Sequence, residues 1–185
     1  MGSWLVFLQI SCLSYFISGC AAACKYQQGQ YQLQFARDRQ YVHLQLTYLR
    51  YPIGTNTWTG IAFGHSMNDG LDFISVRIFN NKISVTDEFV RGYRPPKLDA
   101  KQNVIVQHAS LDNGDLRIRF ARPVLSNDTA DFSLASCLPW QFPFMLSPLD
   151  SAGQIRKHQI SPLGMVICMD QCPCGPTSTL NRCQL

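Results

Sequence analysis

Apolar and polar residues alternate along most of the chain beyond Cys24. Tyr31, Leu33 and Phe35 take every second place in one run. Val42, Leu44, Leu46 and Tyr48 do so against His43, Gln45 and Thr47, and Leu116, Ile118 and Phe120 against Arg117, Arg119 and Ala121. Phe132 with Leu134 repeats the pattern, and Ile83–Val85, Val104–Val106 and Met165–Ile167 supply shorter apolar stretches. A period of two places one face of a strand on a core and the other in water. Turn formers stand between the runs: Pro52-Ile53-Gly54, Asn68-Asp69-Gly70, Asn80-Asn81, Arg94-Pro95-Pro96 and Asp112-Asn113-Gly114. No segment carries a capped apolar stripe of helical period. Many short strands at this spacing predict an all-β chain folded as an antiparallel β-sandwich. Two stretches, Trp58–Gly64 and Leu71–Phe79, are apolar on both faces. Such strands are covered on both sides, by sheet on one and by a loop, a partner or a ligand on the other.

Composition narrows the class. The 185 residues are 46% hydrophobic and 15% charged, enough for one domain with a real core and too apolar for disorder. Collagen, coiled-coil and polytopic membrane compositions are excluded. The net charge of +4 is spread without a run of five basic residues, which gives no case for nucleic acid.

Residues 1–23 hold no Asp, Glu, Lys or Arg and end on Ala21-Ala22-Ala23, the form of a secretory signal peptide cleaved before Cys24. The alternative is an uncleaved anchor, against which Gln9, Ser11 and Ser14 interrupt the apolar run. No second span follows, so the mature protein is expected outside the cell and off the membrane. Cleavage leaves Cys24, Cys137, Cys168, Cys172, Cys174 and Cys183, an even set that reads as three disulfides, four of the six crowded into a short Cys-rich tail, 168–185. That tail lacks the paired CxxC spacing of a zinc ribbon. Asn127-Asp128-Thr129 is a glycosylation sequon, in keeping with a secreted glycoprotein.

No hydrolase elbow, phosphate loop, HExxH or calcium loop occurs, and the cysteines are better used as bridges, so the chain is expected not to be an enzyme. Four mature histidines remain, His43, His65, His108 and His158, of which His43 reads as an exposed side chain on a polar strand face. Met67 sits close to His65 in Gly64-His65-Ser66-Met67-Asn68-Asp69-Gly70, directly after one doubly apolar strand, and strand spacing puts the two on one face, where His65 is an alternative imidazole ligand or a pocket wall. A thioether with an imidazole suits haem iron or copper. The C-x-x-C-H of covalent attachment is absent, so a haem would be held non-covalently.

The run Trp58-Thr59-Gly60-Ile61-Ala62-Phe63-Gly64-His65-Ser66-Met67, followed by Asp72 opening the next apolar strand, resembles a DOMON domain. Arg119-Phe120-Ala121-Arg122-Pro123, Asn127-Asp128-Thr129-Ala130-Asp131, Cys137-Leu138-Pro139-Trp140-Gln141-Phe142-Pro143 and Gly153-Gln154-Ile155-Arg156-Lys157-His158 continue the likeness in order, over a domain at residues 24–167. The resemblance implies an Ig-like sandwich of roughly nine to eleven strands. It also implies a b-type haem ligated by Met67 and His158, serving one-electron transfer to a redox partner; Trp58 and Phe63 are the aromatic candidates for cofactor contact, although each taken singly reads as a core residue. Phe73, Trp140, Phe142 and Phe144 are further aromatic candidates for the wall. Some members of the family bind sugars or act as interaction modules without haem, so the rival expectation is a haem-free carbohydrate- or protein-binding adhesion module. A copper oxygenase lacks the ligands. Cys24 with Cys137 is the preferred first bridge, tying the first strand's start to a late strand, with two further bridges in the tail.

Overall fold

The structure is a computed structural model that describes residues 24–174; residues 1–23, expected to be a signal peptide, and Cys183 lie outside the described residues. Twelve strands and one 3-10 turn, Met169–Gln171, make two antiparallel sheets packed face to face. The five-stranded sheet contains β1 (Cys24–Gln28), β2 (Tyr31–Arg37), β3 (Tyr41–Tyr48), β8 (Ile105–Asp112) and β9 (Asp115–Pro123), in the order β1-β2-β3-β9-β8. The seven-stranded sheet contains β4 (Thr57–Phe63), β5 (Leu71–Phe79), β6 (Lys82–Val90), β7 (Lys97–Leu98), β10 (Leu138–Phe142), β11 (Ser147–Pro148) and β12 (Leu163–Ile167). Its order is β12-β10-β4-β5-β6-β7, with β11 paired to the far end of β4. Among the described residues no helix is long and apolar enough to cross a membrane. Asn127 is exposed in the loop after β9.

The alternating runs become β2, β3 and β9, and their apolar sets interlock in register: Leu33 opposite Leu46, Leu46 opposite Ile118. These side chains meet Ile61, Phe63, Ile74, Trp140 and Phe142 from the facing sheet, all fully buried. Each such side chain contributes about 1.5–3 kcal/mol relative to exposure. The Asn80-Asn81 turn joins β5 to β6 with both residues at positive φ, 50° and 62°, the twist that a two-residue hairpin requires.

Three expectations are corrected. Phe132 and Leu134 form no strand; the Phe132 N–H donates to Asp72 Oδ2 (2.9 Å) and that of Leu134 to the carbonyl of Val124 (2.8 Å), so their alternation belongs to a loop whose apolar residues plug the core. His43 is buried rather than exposed. Its neighbours across the sheet are Ala36 and Ala121, which leave room for the ring to lie down, and Nε2 meets Asp38 Oδ2 at 2.7 Å. Asp38 Oδ1 also accepts the N–H groups of Gln40 (2.8 Å) and Tyr41 (2.7 Å). Partial burial acts to raise this carboxyl, but the bonds from His43, Tyr41 and Gln40 outweigh it and hold Asp38 below its ordinary value.

The bridge Cys24–Cys137 does not form either. Cys24 pairs with Cys172, and Cys137 with Cys168. Leu138 stands opposite Ile167 where β10 pairs with β12, so Cys137 and Cys168 are the next residues of the same register and face each other. The 3-10 turn then carries Cys172 back to the end of β2, where the Arg37 N–H donates to its carbonyl (2.8 Å), beside the start of β1. Cys174 is disulfide-bonded as well.

Between the sheets lies a charged group that alternation conceals. Arg122 of β9 points inward with Leu116, Ile118 and Phe120, and Nη1 meets Asp72 Oδ2 of β5 at 2.5 Å with both side chains fully buried. Its guanidinium lies 4.7 Å above the Phe63 ring. Asp87 of β6 and Asp131 surround the same place. Burial, ahead of the charges of Asp72 and Asp131, pushes Asp87 up to about 7; burial also raises Asp72 to about 6 against the pull of Arg122.

Candidate functional site

The outer face of the seven-stranded sheet carries a second apolar cluster: Trp58 and Ala62 of β4, Leu71 and Phe73 of β5, and Val90 of β6, with Leu149 and Ile155 laid over it. This is the second covered face that the doubly apolar strands demand. One part of the cover is the segment 149–162. The Leu149 N–H donates to the carbonyl of Asn56 (3.1 Å), Leu149 and Ile155 bridge each other, and Trp58 Nε1 donates to the carbonyl of Arg156 (3.0 Å). Where that cover stops, the face opens into a cleft of about 470 Å³, within the range of small-molecule and cofactor sites.

Met67 enters the cleft from the loop between β4 and β5. That loop is fixed at several points. Gln141 Nε2 donates to the carbonyls of Gly64 (3.2 Å) and His65 (3.0 Å), Ser66 Oγ donates to Asp69 Oδ2 (2.6 Å), and the Gly92 N–H donates to the carbonyl of Met67 (2.5 Å). Gly70 closes it at φ 102°, where a Cβ would fall 2.7 Å from the Phe89 ring, so only glycine fits. Met67 is half-buried against the outer cluster.

His158 enters the same cleft from the covering segment. Its main chain is held on both sides, by Trp58 on the carbonyl of Arg156 and by Ser147 Oγ, which accepts the N–H of Gln159 (3.3 Å). Burial, and then the neighbouring Lys157 charge, pull its pKa below the ordinary imidazole value, so at neutral pH the ring is uncharged and has a lone pair to offer. Arg94, Arg156 and Lys157 line the cleft, and no Asp or Glu does among the described residues. The cleft therefore combines a thioether, a neutral imidazole, an apolar aromatic floor and cationic groups suited to carboxylates.

Of the residues singled out in the sequence, Met67, His158, Trp58, Phe73 and His65 line this cleft. Phe63 does not. On β4 it has the opposite parity to Trp58 and Ala62, so it faces the inter-sheet core, 5.0 Å from Trp140 with the rings edge to face. Trp140 and Phe142 are core residues for the same reason, Phe144 packs at the edge of that core, and His43 and His108 lie on the other sheet. Sequence reasoning missed Gln141 and the loop Tyr93-Arg94-Pro95-Pro96, which reads only as a turn. Arg156 and Lys157 were visible as the basic pair before His158.

Comparison with known proteins gives a consistent picture. The family model described as "DOMON domain" matches residues 25–146. A DOMON domain-containing protein of Caenorhabditis elegans is 24% identical over 177 residues, covering 90% of this chain and 99% of the relative. Among solved structures, the cytochrome domain of Myriococcum thermophilum cellobiose dehydrogenase superposes with a TM-score of 0.62 at 12% identity, covering 85% of this chain and 86% of that one. The cytochrome b domain of Coprinopsis cinerea pyranose dehydrogenase gives 0.60 at 12% identity, covering 80% and 83%. At such identity these two likenesses concern the fold.

Proposed function

Because this chain belongs to the DOMON domain family, we propose that its cleft binds b-type haem through Met67 and His158 and serves one-electron transfer in a secreted protein that is not itself an enzyme. One observation carries the reading: the only two side chains that the family resemblance nominates as axial ligands, far apart in sequence, line one cleft. The fold shared with two cytochrome domains supports it. When bound, haem supplies an iron that exchanges single electrons between the ferric and ferrous states.

The residues of the chain do the rest. Met67 offers soft sulfur, which favours the reduced metal. His158 offers a neutral ring whose main chain is clamped on either side. Trp58, Leu71 and Phe73 exclude water from the floor, and Arg94, Arg156 and Lys157 stand where they can meet the propionate carboxylates. With haem held there, the cleft would exchange electrons with a redox partner rather than transform a substrate of its own. The apolar, uncharged leader and the disulfides support secretion.

Absorption spectroscopy of the full chain, produced with haem supplied, tests the proposal. A Soret band with sharp α and β bands on reduction is expected. Met67→Ala and His158→Ala each change the spin state or weaken haemin binding more than tenfold, while His65→Ala and His43→Ala leave the reduced spectrum intact. A colourless protein that takes up no added haemin refutes the proposal and leaves a haem-free binding or adhesion module. A spectrum lost in His65→Ala but kept in His158→Ala refutes the ligand assignment.

A further inference from the structure

The acidic group between the sheets stands apart from the cleft and does not depend on the haem reading. Asp72 and Asp87 are diagonal neighbours on the inner face of β5 and β6, since Asp72 pairs with Phe89 and Ile74 with Asp87. Asp131 arrives from the loop after β9, and carboxylate oxygens of the three lie within 4.8 Å of one another. All three side chains are fully buried.

Their hydrogen bonding shows a division of labour. Each Oδ2 is engaged by the protein. That of Asp72 meets Arg122 and the Phe132 N–H, that of Asp87 accepts the Asn103 N–H (3.4 Å), and that of Asp131 accepts Asn103 Nδ2. Each Oδ1 has no partner. Asn103 behaves the same way: Nδ2 donates to Ser126 Oγ (3.0 Å) and to Asp131, while its buried Oδ1 has none. The buried Oδ2 of Asp99, on the same segment as Asn103, is likewise unpartnered. Buried polar atoms are nearly always satisfied, and leaving one orphaned is costly, more so where it is charged. Unpartnered oxygens around three mutually repelling carboxylates, with Arg122 (its own Nε unpartnered) as the buried cation beside them among the described residues, point to a missing hard cation.

We propose that Asp72, Asp87, Asp131 and the Asn103 carbonyl, with Asp99 at the margin, bind one calcium ion between the sheets. The donors are oxygens alone and come from four separate segments: β5, β6, the stretch before β8 and the loop after β9. Such a set suits the irregular coordination of calcium better than the hydrated octahedron of magnesium. The ion fixes the loop that follows β9 and the segment before β8 onto the inner face of β5 and β6, so its role is structural.

Isothermal titration and thermal melting of the full chain, stripped with EDTA and titrated with calcium chloride, test this. One site per chain and a rise in Tm of at least about 5 °C at a hundredfold excess over Kd are expected, with magnesium at the same concentration giving less than half of that shift. Asp87→Asn abolishes the calcium-dependent shift, and Asp115→Asn, whose partner is the exposed Arg117, leaves it unchanged. If Asp87→Asn does not fold, Asn103→Ala supplies the reading, with affinity for calcium at least tenfold weaker. Titration without heat and an unchanged Tm overturn the proposal, as does a Tm that rises in Asp87→Asn while calcium does nothing, because protons would then be balancing the cluster. Equal stabilisation by magnesium overturns the assignment to calcium.

Discussion

The two bridges close loops of very different length, which allows their effects to be ranked. Cys24 and Cys172 are separated by 148 positions, and Cys137 and Cys168 by 31. In the chain-entropy treatment a bridge stabilises by restricting the unfolded chain, with a cost that grows as the logarithm of loop length. The outer bridge then contributes about 5 kcal/mol and the inner about 3.7 kcal/mol at 25 °C. The absolute figures carry whatever the folded geometry adds or removes, but the constant cancels in the difference, leaving about 1.4 kcal/mol. The inner bridge shortcuts the outer loop and trims each of the two losses by about 0.2 kcal/mol, which leaves their difference unchanged. Urea unfolding of Cys24→Ala/Cys172→Ala and of Cys137→Ala/Cys168→Ala, followed by tryptophan fluorescence, measures both losses on one scale. The outer double variant is expected to lose more, with a larger m-value because its unfolded chain expands further. An outer variant as stable as the inner one, with the same m-value, would refute the assignment of the stabilisation to the unfolded state.

Two other perturbations follow from the geometry. Gly60→Ala would set a methyl group 2.2 Å from the Ile74 carbonyl oxygen, and since that atom belongs to the paired strand it cannot swing away; we expect a loss of about 3 kcal/mol or more in thermal melting, and a loss under 1 kcal/mol would show that β4 and β5 can separate there. Asp38 has a lowered pKa in the folded state, so its bonds stabilise above the unfolded value of about 3.9 and are lost as pH falls through the folded value; wild type should therefore lose more Tm between pH 6 and pH 3 than Asp38→Asn, and parallel curves would sink the argument.

Period-two alternation made β2, β3 and β9 legible because polar and apolar residues take opposite faces in each, although on β3 the polar face is itself largely buried. The same rule located the functional surface indirectly, since β4 and β5 were too apolar to have any wet face at all. It failed where burial has another origin. β1 (Cys24–Gln28) is a polar edge strand, and β10 contains Pro139, so neither announces itself. His43 is buried because its neighbours are alanines, a fact that only register reveals. Phe63 was assigned to the cleft through its neighbours in sequence, although strand parity turns it to the core. The Cys137–Cys168 bridge follows from the pairing of β10 with β12, and Cys24–Cys172 from the 3-10 turn that returns the chain to β1 and β2, neither of which any spacing rule contains. Asp72, Asn103 and Asp131 each look like ordinary loop or strand-end residues, and only the closed sandwich makes them one group.

The cleft has two walls of unlike construction. One is the sandwich itself, where Trp58, Leu71 and Phe73 are locked by strand register. The other is the strap 149–162, which bears His158 and lies beyond residue 146, where the family match ends. Its anchors are main-chain bonds, the Trp58 indole, the Ser147 hydroxyl and the buried side chains of Leu149 and Ile155, so the positions between those two and beyond them can be exchanged without unpicking either sheet. A scaffold with one permanent jaw and one interchangeable jaw can be refitted to a new guest by local editing, and a chimaera carrying a sister protein's strap, with Leu149 and Ile155 retained as its apolar anchors, should keep the host's melting behaviour while taking on the donor's ligand.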